Sequence, residues 1–142
     1  MKRKLISFVA FLATMVLSLF CFVACDGGTA TAEVVETSDT LVVIRVIETD
    51  QTTTLFDVME DLQKENALQF ELSGTMLNSL NGKQNPADFS SCWMLYTSDR
   101  EMGNSEWGTY DYKGTACLSA ILGGDALTVS AGEYYVWVYM TF

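Results

Sequence analysis

The sequence predicts an α+β domain in which one α-helix packs on a mostly antiparallel β-sheet. The segment LVVIRVI at residues 41–47 is β-branched and apolar, which is typical of a strand. An amphipathic helical stripe follows this strand, and most of the remaining chain has strand-like segments between turn signals. One strand, one helix and then several antiparallel strands favour a layer of helix on a single sheet.

The first strand has one uniformly apolar face. Val42, Ile44 and Val46 share this face by the two-residue period of a strand, so it is the side predicted to pack on the core. Arg45 lies on the opposite face, and residues 48–51 are predicted to form a turn.

The helix is predicted at residues 55–66. Its apolar residues recur at the spacing i, i+3, i+4 and i+7, which places them on one face; they are Leu55, Val58, Met59 and Leu62. Thr54 is followed by Asp57 three residues later, a pattern that resembles a capping box with Asp in place of Glu.

Further strands are predicted after the helix. Apolar residues alternate with polar ones over residues 68–72, and Asn81-Gly82 is the strongest short signal for a hairpin turn. Turns or loops are also expected around Pro86 and at residues 100–105, 123–125 and 130–133. They leave predicted strands at residues 92–99, 106–114, 126–129 and 134–142.

Residues 1–24 have the pattern of a lipoprotein signal peptide. Lys2, Arg3 and Lys4 precede a stretch without any charge, and Val23-Ala24-Cys25 resembles a bacterial lipobox, with Phe22 where Leu is usual. The resemblance implies cleavage before Cys25 and a lipid on its thiol. An uncleaved transmembrane helix is the alternative. Both place the domain on the extracellular face of the bacterial cell membrane, and the first makes it lipid-anchored.

Residues 25–40 are predicted to be a flexible, lipid-attached tether, because they hold few large apolar side chains. The folded domain is then expected at residues 41–142. Removing residues 1–24 takes away three of the eight basic residues and none of the 18 acidic ones, which leaves a net charge of −13. A surface this acidic disfavours nucleic acid as a partner.

Catalysis is disfavoured by the residue types present. The chain contains no histidine, which excludes a Ser-His-Asp or Cys-His mechanism and the commonest transition-metal ligand. Carboxylates cluster on the helix and around residues 99–106, but without a metal-binding spacing, so neither a metal site nor a resident cofactor is expected. Cys92 and Cys117 are candidates for a disulfide in an exported chain, with two buried free thiols as the alternative.

The order of these segments resembles a family of bacterial extracellular domains of uncharacterised function, which is related to the C-terminal domain of transcobalamin and intrinsic factor. The resemblance covers residues 41–142 and rests most on the segment WMLY at residues 93–96 and on Gly132 with the segment WVY at residues 137–139. It implies a β-grasp-like fold, a Gram-positive surface protein and a corrinoid ligand such as cobalamin. In the vitamin carriers a separate α-helical domain, with no counterpart in residues 41–142, completes the site.

Aromatic side chains are the candidate ligand contacts. Trp107 lies in a polar, Gly-flanked segment and is the first choice, with a fold back onto the sheet as its alternative. Tyr135, Trp137 and Tyr139 share one face of the last strand, opposite Val136 and Val138. Packing of this face is favoured over an exposed platform. The full set of candidates is Trp93, Tyr96, Trp107, Tyr110, Tyr135, Trp137 and Tyr139.

These patterns together predict a non-catalytic lipoprotein domain on the cell surface that binds a small ligand or partner, a corrinoid being the most specific candidate. A structural or adhesive module that binds protein or carbohydrate is the alternative. A carboxylate-based hydrolase is a more distant one.

Overall fold

The computed structural model describes residues 29–142. This part of the chain forms nine strands and one helix: β1 (Ala30–Thr37), β2 (Leu41–Thr49), α1 (Leu55–Lys64), β3 (Phe70–Ser73), β4 (Met76–Leu80), β5 (Lys83–Gln84), β6 (Ser91–Thr97), β7 (Gly103–Tyr112), β8 (Thr115–Ala120) and β9 (Tyr134–Thr141). None of the described helices is long and apolar enough to cross a membrane. The predicted signal peptide and Cys25 lie outside the described residues.

The strands form two antiparallel sheets. Six strands pair in the order β1-β2-β9-β6-β8-β7, and three short strands pair in the order β3-β4-β5. The prediction of one helix with a mostly antiparallel sheet is therefore confirmed.

Helix α1 starts at the predicted residue and has the predicted cap. The Thr54 hydroxyl accepts a hydrogen bond from the Asp57 amide at 3.3 Å, and the Asp57 carboxylate accepts one from the Thr54 amide at 3.0 Å. The helix ends two residues before the predicted position, because Asn66 turns into the left-handed region at φ 60° and the Ala67 amide bonds back to the Leu62 carbonyl.

One face of the six-stranded sheet is covered by α1, the three-stranded sheet and the β8–β9 connection. Val42, Ile44 and Val46 are fully buried on this face, as predicted. We call this the helix-side core. Its other central members are Leu55, Val58, Met59, Leu80, Trp93, Leu127, Tyr135 and Trp137.

The opposite face of the six-stranded sheet is covered by the sheet's own edge strands, β1 and β7, which meet across it. We call it the curled face, and its buried members are Val43, Tyr96, Tyr112, Cys117 and Val136. The register of β1 shifts between Val34 and Glu36, so that Glu36 lies opposite Val43 rather than on the helix side. There the Tyr112 hydroxyl donates to the Glu36 carboxylate at 3.0 Å, which joins the two edge strands β1 and β7 across this face.

A wide bulge in β7 adds cover to the curled face. The pairing of β7 with β8 passes from Asn104 opposite Ser119 directly to Thr109 opposite Leu118, so residues 105–108 leave the ladder. Gly108 has a φ of 132°, and a Cβ there would lie 3.7 Å from the Tyr96 hydroxyl. The bulge therefore lies over Tyr96.

Strand β1 contradicts the prediction that the folded domain begins only at residue 41, after a flexible tether. Residues 30–37 pair with β2, and Ala30, Ala32 and Val34 pack against the helix-side core. Their small side chains made the segment look unable to fold, but an edge strand needs only one modestly apolar face. Asp50 fastens the start of β1, because its carboxylate accepts from the Thr29 amide at 3.1 Å. Hydrogen bonds, first that from the Thr52 amide, lower the pKa of Asp50 to about 2.

Two further differences lie in the second half of the chain. Residues 126–129 form only an isolated bridge, Thr54 with Thr128, instead of the predicted strand. Strand β8, at Thr115–Ala120, was not predicted. Its buried residues Cys117 and Ser119 are small and partly polar, so they give a weak alternating signal.

Candidate functional site

An open cleft lies beside strand β6 where the main sheet loses a partner. Strand β8 pairs with β6 only at Tyr96 and Thr97, which leaves the preceding edge of β6 without a neighbouring strand. The three-stranded sheet, the start of α1 and residues 123–125 surround this edge and enclose a cleft of about 440 Å³. The residues that line it include Phe56, Met76, Leu77, Asn85, Phe89, Cys92, Trp93, Met94, Gly124, Asp125 and Trp137.

Two buried indoles line the cleft, and they differ in their hydrogen bonding. The Trp93 Nε1 donates to the Lys83 carbonyl at 2.9 Å. Trp137 stacks on Phe56 with ring centroids 6.4 Å apart and an interplanar angle of 14°. Its Nε1 is buried and has no hydrogen-bond partner among the described residues. A buried donor without an acceptor is costly, so this indole is suited to a ligand that brings an acceptor.

The outer walls of the cleft are apolar and exposed. Met76 is 46% exposed and Phe89 is 50% exposed, although both side chains are large and hydrophobic. Phe89 also has a φ of 52°, an uncommon conformation for a bulky residue, which occurs in the loop between β5 and β6. Exposed apolar side chains around a concave site are typical of ligand-binding surfaces.

Asn85 links the two sides of the cleft, the small sheet and strand β6. Its side-chain amide donates to the Leu77 carbonyl at 2.7 Å, and its Oδ1 accepts from the Trp93 amide at 3.0 Å. One side chain therefore joins β4 of the small sheet to the uncovered edge of β6. This link fixes the distance between the two sides of the cleft.

Gly124 closes the cleft at the start of α1. A Cβ at this position would lie 2.4 Å from the Phe56 ring, so only glycine fits without displacement of the ring. The Gly124 carbonyl also accepts from the Phe56 amide at 2.9 Å. Asp125 supplies the one carboxylate among the lining residues. The chemistry of the cleft is therefore largely that of apolar contact with a few polar groups at the rim.

The predicted aromatic residues divide between several places. Trp93 and Trp137 line the cleft, and Tyr139 packs edge-on against Trp93 with centroids 5.3 Å apart. Tyr135 is fully buried; its oxygen accepts from the Ser130 amide, and burial raises its pKa to about 12. These three residues, Tyr135, Trp137 and Tyr139, thus form a packed layer, as the sequence analysis favours, and not an exposed platform.

Three other candidates lie away from the cleft. Tyr96 and Tyr110 belong to the curled face, where their ring centroids are 5.9 Å apart. Trp107 lies in the β7 bulge and is 63% exposed, so it does not fold back onto the sheet. Trp107 stays a prediction as a contact residue, but the structure does not bring it to the cleft.

Cys92 and Cys117 are free thiols. In the register of β6 with β8, Cys117 lies near residue 98, six positions from Cys92, a separation of about 20 Å along the strand. Of the two alternatives for this pair, a disulfide and two free thiols, the structure has the free thiols. Burial raises the pKa of Cys92 above its ordinary value and that of Cys117 to about 11.

The carboxylates around residues 99–106 serve as local acceptors. Asp99 accepts from the Ser130 hydroxyl at 2.7 Å and from the Glu101 amide at 3.0 Å. Within residues 29–142, no three His, Cys, Asp or Glu side chains come together in a group that could hold a metal ion.

Sequence reasoning missed most of the cleft lining, and Phe56, Met76, Asn85 and Phe89 are the large or polar side chains among the missed residues that shape it. Phe56 lies beside the predicted apolar stripe of α1 and is buried, which could have drawn notice. The other three come from segments far apart in the chain, and no local pattern indicates that they meet.

The comparisons with known proteins yielded no relative. No family model matches the chain, no curated protein matches it, and no solved structure matches it.

Proposed function

We propose that the chain is a non-catalytic, lipid-anchored domain on the outer face of the cell membrane that binds a small ligand with an apolar ring in the cleft. The unpaired Nε1 of Trp137 carries this proposal, because the side chain lines an apolar cleft and lacks only an acceptor. A ligand with a carbonyl or another acceptor at the edge of an apolar ring would satisfy it.

A corrinoid is the specific candidate that the family resemblance implies. Its ring carries amide groups at its periphery and presents an apolar face, which suits an indole floor with a single free donor. A cleft of about 440 Å³ with one open side would cover only part of such a ligand. A second surface would then complete the site, as a separate domain does in the vitamin carriers.

A β-grasp-like relationship is part of the same proposal. Its support is a first hairpin, β1 with β2, followed by one helix packed on an antiparallel sheet. The cleft lies between this helix layer and the short second sheet.

The test is a titration of the full chain in detergent with cobinamide, cobalamin and an anilinonaphthalene dye. The chain has three tryptophans, so a Trp107→Phe background leaves the cleft pair, Trp93 and Trp137, as the reporters. We expect saturable quenching and heat with one equivalent of ligand. Phe89→Glu and Met76→Glu, both at exposed positions, should abolish it.

Phe142→Glu is the matched control, since Phe142 is 74% exposed but does not line the cleft. If the dye binds at the cleft and no corrinoid does, the proposed ligand-binding function stands and the corrinoid is excluded as the ligand. No saturable binding of any probe would contradict the proposal and favour a structural module.

A further inference from the structure

Three sulfur-bearing side chains, Cys92, Met94 and Met140, lie on the curled face beside Tyr96. Cys92 and Met94 are two residues apart on β6 and so lie on the same face, opposite to Trp93. Met140 of β9 is the direct cross-strand partner of Cys92. Directly opposite residues have Cβ atoms about 4.5–5.5 Å apart, which brings the Met140 thioether within reach of the thiol.

The spacing of the Cys92 and Met94 sulfur atoms suits a shared metal ion. The Cys92 Sγ lies 3.5 Å from the Met94 Sδ. Two sulfurs bound to one ion at about 2.3 Å in a trigonal arrangement are roughly 4 Å apart. A small outward rotation of either side chain would therefore create the geometry of two ligands on one ion.

The thioether of Met140, the third sulfur, is positioned by a hydrogen bond and is accessible to solvent. The Tyr96 hydroxyl lies 3.2 Å from the Met140 Sδ and donates to it, which positions the thioether. Met140 is 36% exposed, and Cys92 and Met94 are both partly exposed. An ion can therefore reach the three sulfurs from solvent without unfolding the sheet.

The ligand set selects the metal. One thiol and two thioethers are soft donors, and thioethers in particular favour Cu(I) over Zn(II), Mg²⁺ or Ca²⁺. The chain has no histidine to recruit a borderline metal. An acidic chain, with a net charge of −10, also attracts cations to its surface.

We propose that Cys92, Met94 and Met140 form a binding site for one Cu(I) ion. The ion forms three Cu–S bonds, and the thiol proton of Cys92 is released to solvent. No electron is transferred, because the copper enters as Cu(I). The side chains of this site lie on the sheet face opposite the tryptophans, while Cys92 and Met94 also belong to the β6 edge that lines the cleft. The proposed metal binding does not rest on the proposed ligand binding.

The experiment follows the methionine methyl groups of the full chain in detergent by NMR during anaerobic titration with Cu(I). The chain has seven methionines, two of which precede Cys25, so seven signals are expected from the uncleaved chain and five after cleavage before Cys25. One equivalent should shift the signals of Met94 and Met140, assigned with Met→Leu variants, and leave that of Met102, which packs against the helix-side core, in place. The same amount of Zn(II) should move none of them.

Affinity is then measured against a Cu(I) chelator. Changes outside the ligand shell typically weaken metal binding by about 10–100-fold. We therefore expect Cys92→Ser and Met140→Leu to lose at least this much. The matched controls are Cys117→Ala, a buried thiol that donates to the Thr115 carbonyl, and Met102→Leu, a thioether packed against the helix-side core; both should bind Cu(I) as the parent chain does.

Two results would overturn the site. One is Cu(I) binding with unmoved Met94 and Met140 signals, which would place the ion on other residues. The other is equal affinity in the parent chain and in Cys92→Ser. Met140 is partly exposed, so Met140→Leu tests the site even where Cys92→Ser folds poorly.

Discussion

The two faces of the six-stranded sheet are buried by different means. A separate layer of helix and small sheet covers the helix-side core. The curled face is closed by its own edge strands, which meet through Tyr112 and Glu36, and by the β7 bulge over Tyr96. The neighbours Val42 and Val43 point to opposite faces, yet each is 0% exposed. Burial alone therefore does not tell which face packs against a second layer.

The difference also explains where each face is open. On the helix side, a gap remains where β8 stops pairing with β6 and the small sheet begins, and this gap is the cleft. On the curled face, the β7 bulge covers Tyr96, whereas Met140, whose Sδ accepts from the Tyr96 hydroxyl, is 36% exposed. The two proposed sites thus lie at opposite faces of the uncovered part of β6, whose residues Cys92 and Met94 also line the cleft.

The largest effect is expected from Val42→Ala and Val43→Ala, a matched pair on one strand. Each removes two buried methyl groups, and we expect a loss of about 2–3 kcal/mol in the free energy of unfolding. Val42→Ala should cost more, because a second layer cannot follow the smaller side chain, whereas the curled sheet can tighten. Chemical denaturation measures both. A larger cost for Val43→Ala would show that the curled face is the more rigid one.

A second pair compares the two indoles of the cleft. Trp93→Phe removes a satisfied donor and leaves the Lys83 carbonyl unpaired, whereas Trp137→Phe removes a donor that had no partner. Because an unpaired buried polar group costs about 1–3 kcal/mol, Trp137→Phe should be the less destabilising by about that amount. Thermal unfolding without ligand tests this order. Equal losses would mean that the Trp137 Nε1 is paired in solution.

The smallest effect concerns the contact that closes the curled face. The Lys113 and Tyr112 hydrogen bonds, in that order, hold the pKa of Glu36 below its ordinary value. A carboxyl with a lowered folded-state pKa contributes stability above its unfolded pKa, and this is lost as the pH falls through the folded value. The contact therefore weakens in acid, below about pH 4.5.

Tyr112→Phe should raise the pKa of Glu36 toward its ordinary value, because it removes one of the two donors. Carboxyl NMR titration measures this shift. Lys113→Met is the companion variant and should raise the pKa further, since Lys113 is the larger cause. An unchanged pKa in Tyr112→Phe would show that the edge strands do not meet in solution.

Much of the fold could be predicted because its signals are local. The period of α1, the Thr54–Asp57 capping box and the apolar face of β2 each lie within a few residues. The Asn81-Gly82 turn is also local, and both residues have a positive φ, 48° and 82°, as its type requires.

The missed elements have weak or non-local signals. Strand β1 is half polar and has small apolar residues, and the sequence gives no sign that β2 offers it an open edge. The cleft depends on Phe56, Asn85 and Phe89, which come from three segments brought together only by the pairing of the small sheet with β6. The sulfur cluster depends on the register of β6 with β9.

The early start of β1 limits how far the domain can stand from a lipid. If Cys25 carries the anchor, four residues separate it from Ala30, a span of at most about 17 Å. Ala30 lies at the Thr49 end of β2, whereas Met140 lies beyond the Leu41 end. A connection this short would keep the Ala30 end of the sheet close to the bilayer. The end with the three sulfur atoms would then face away from the membrane, toward the surrounding solution.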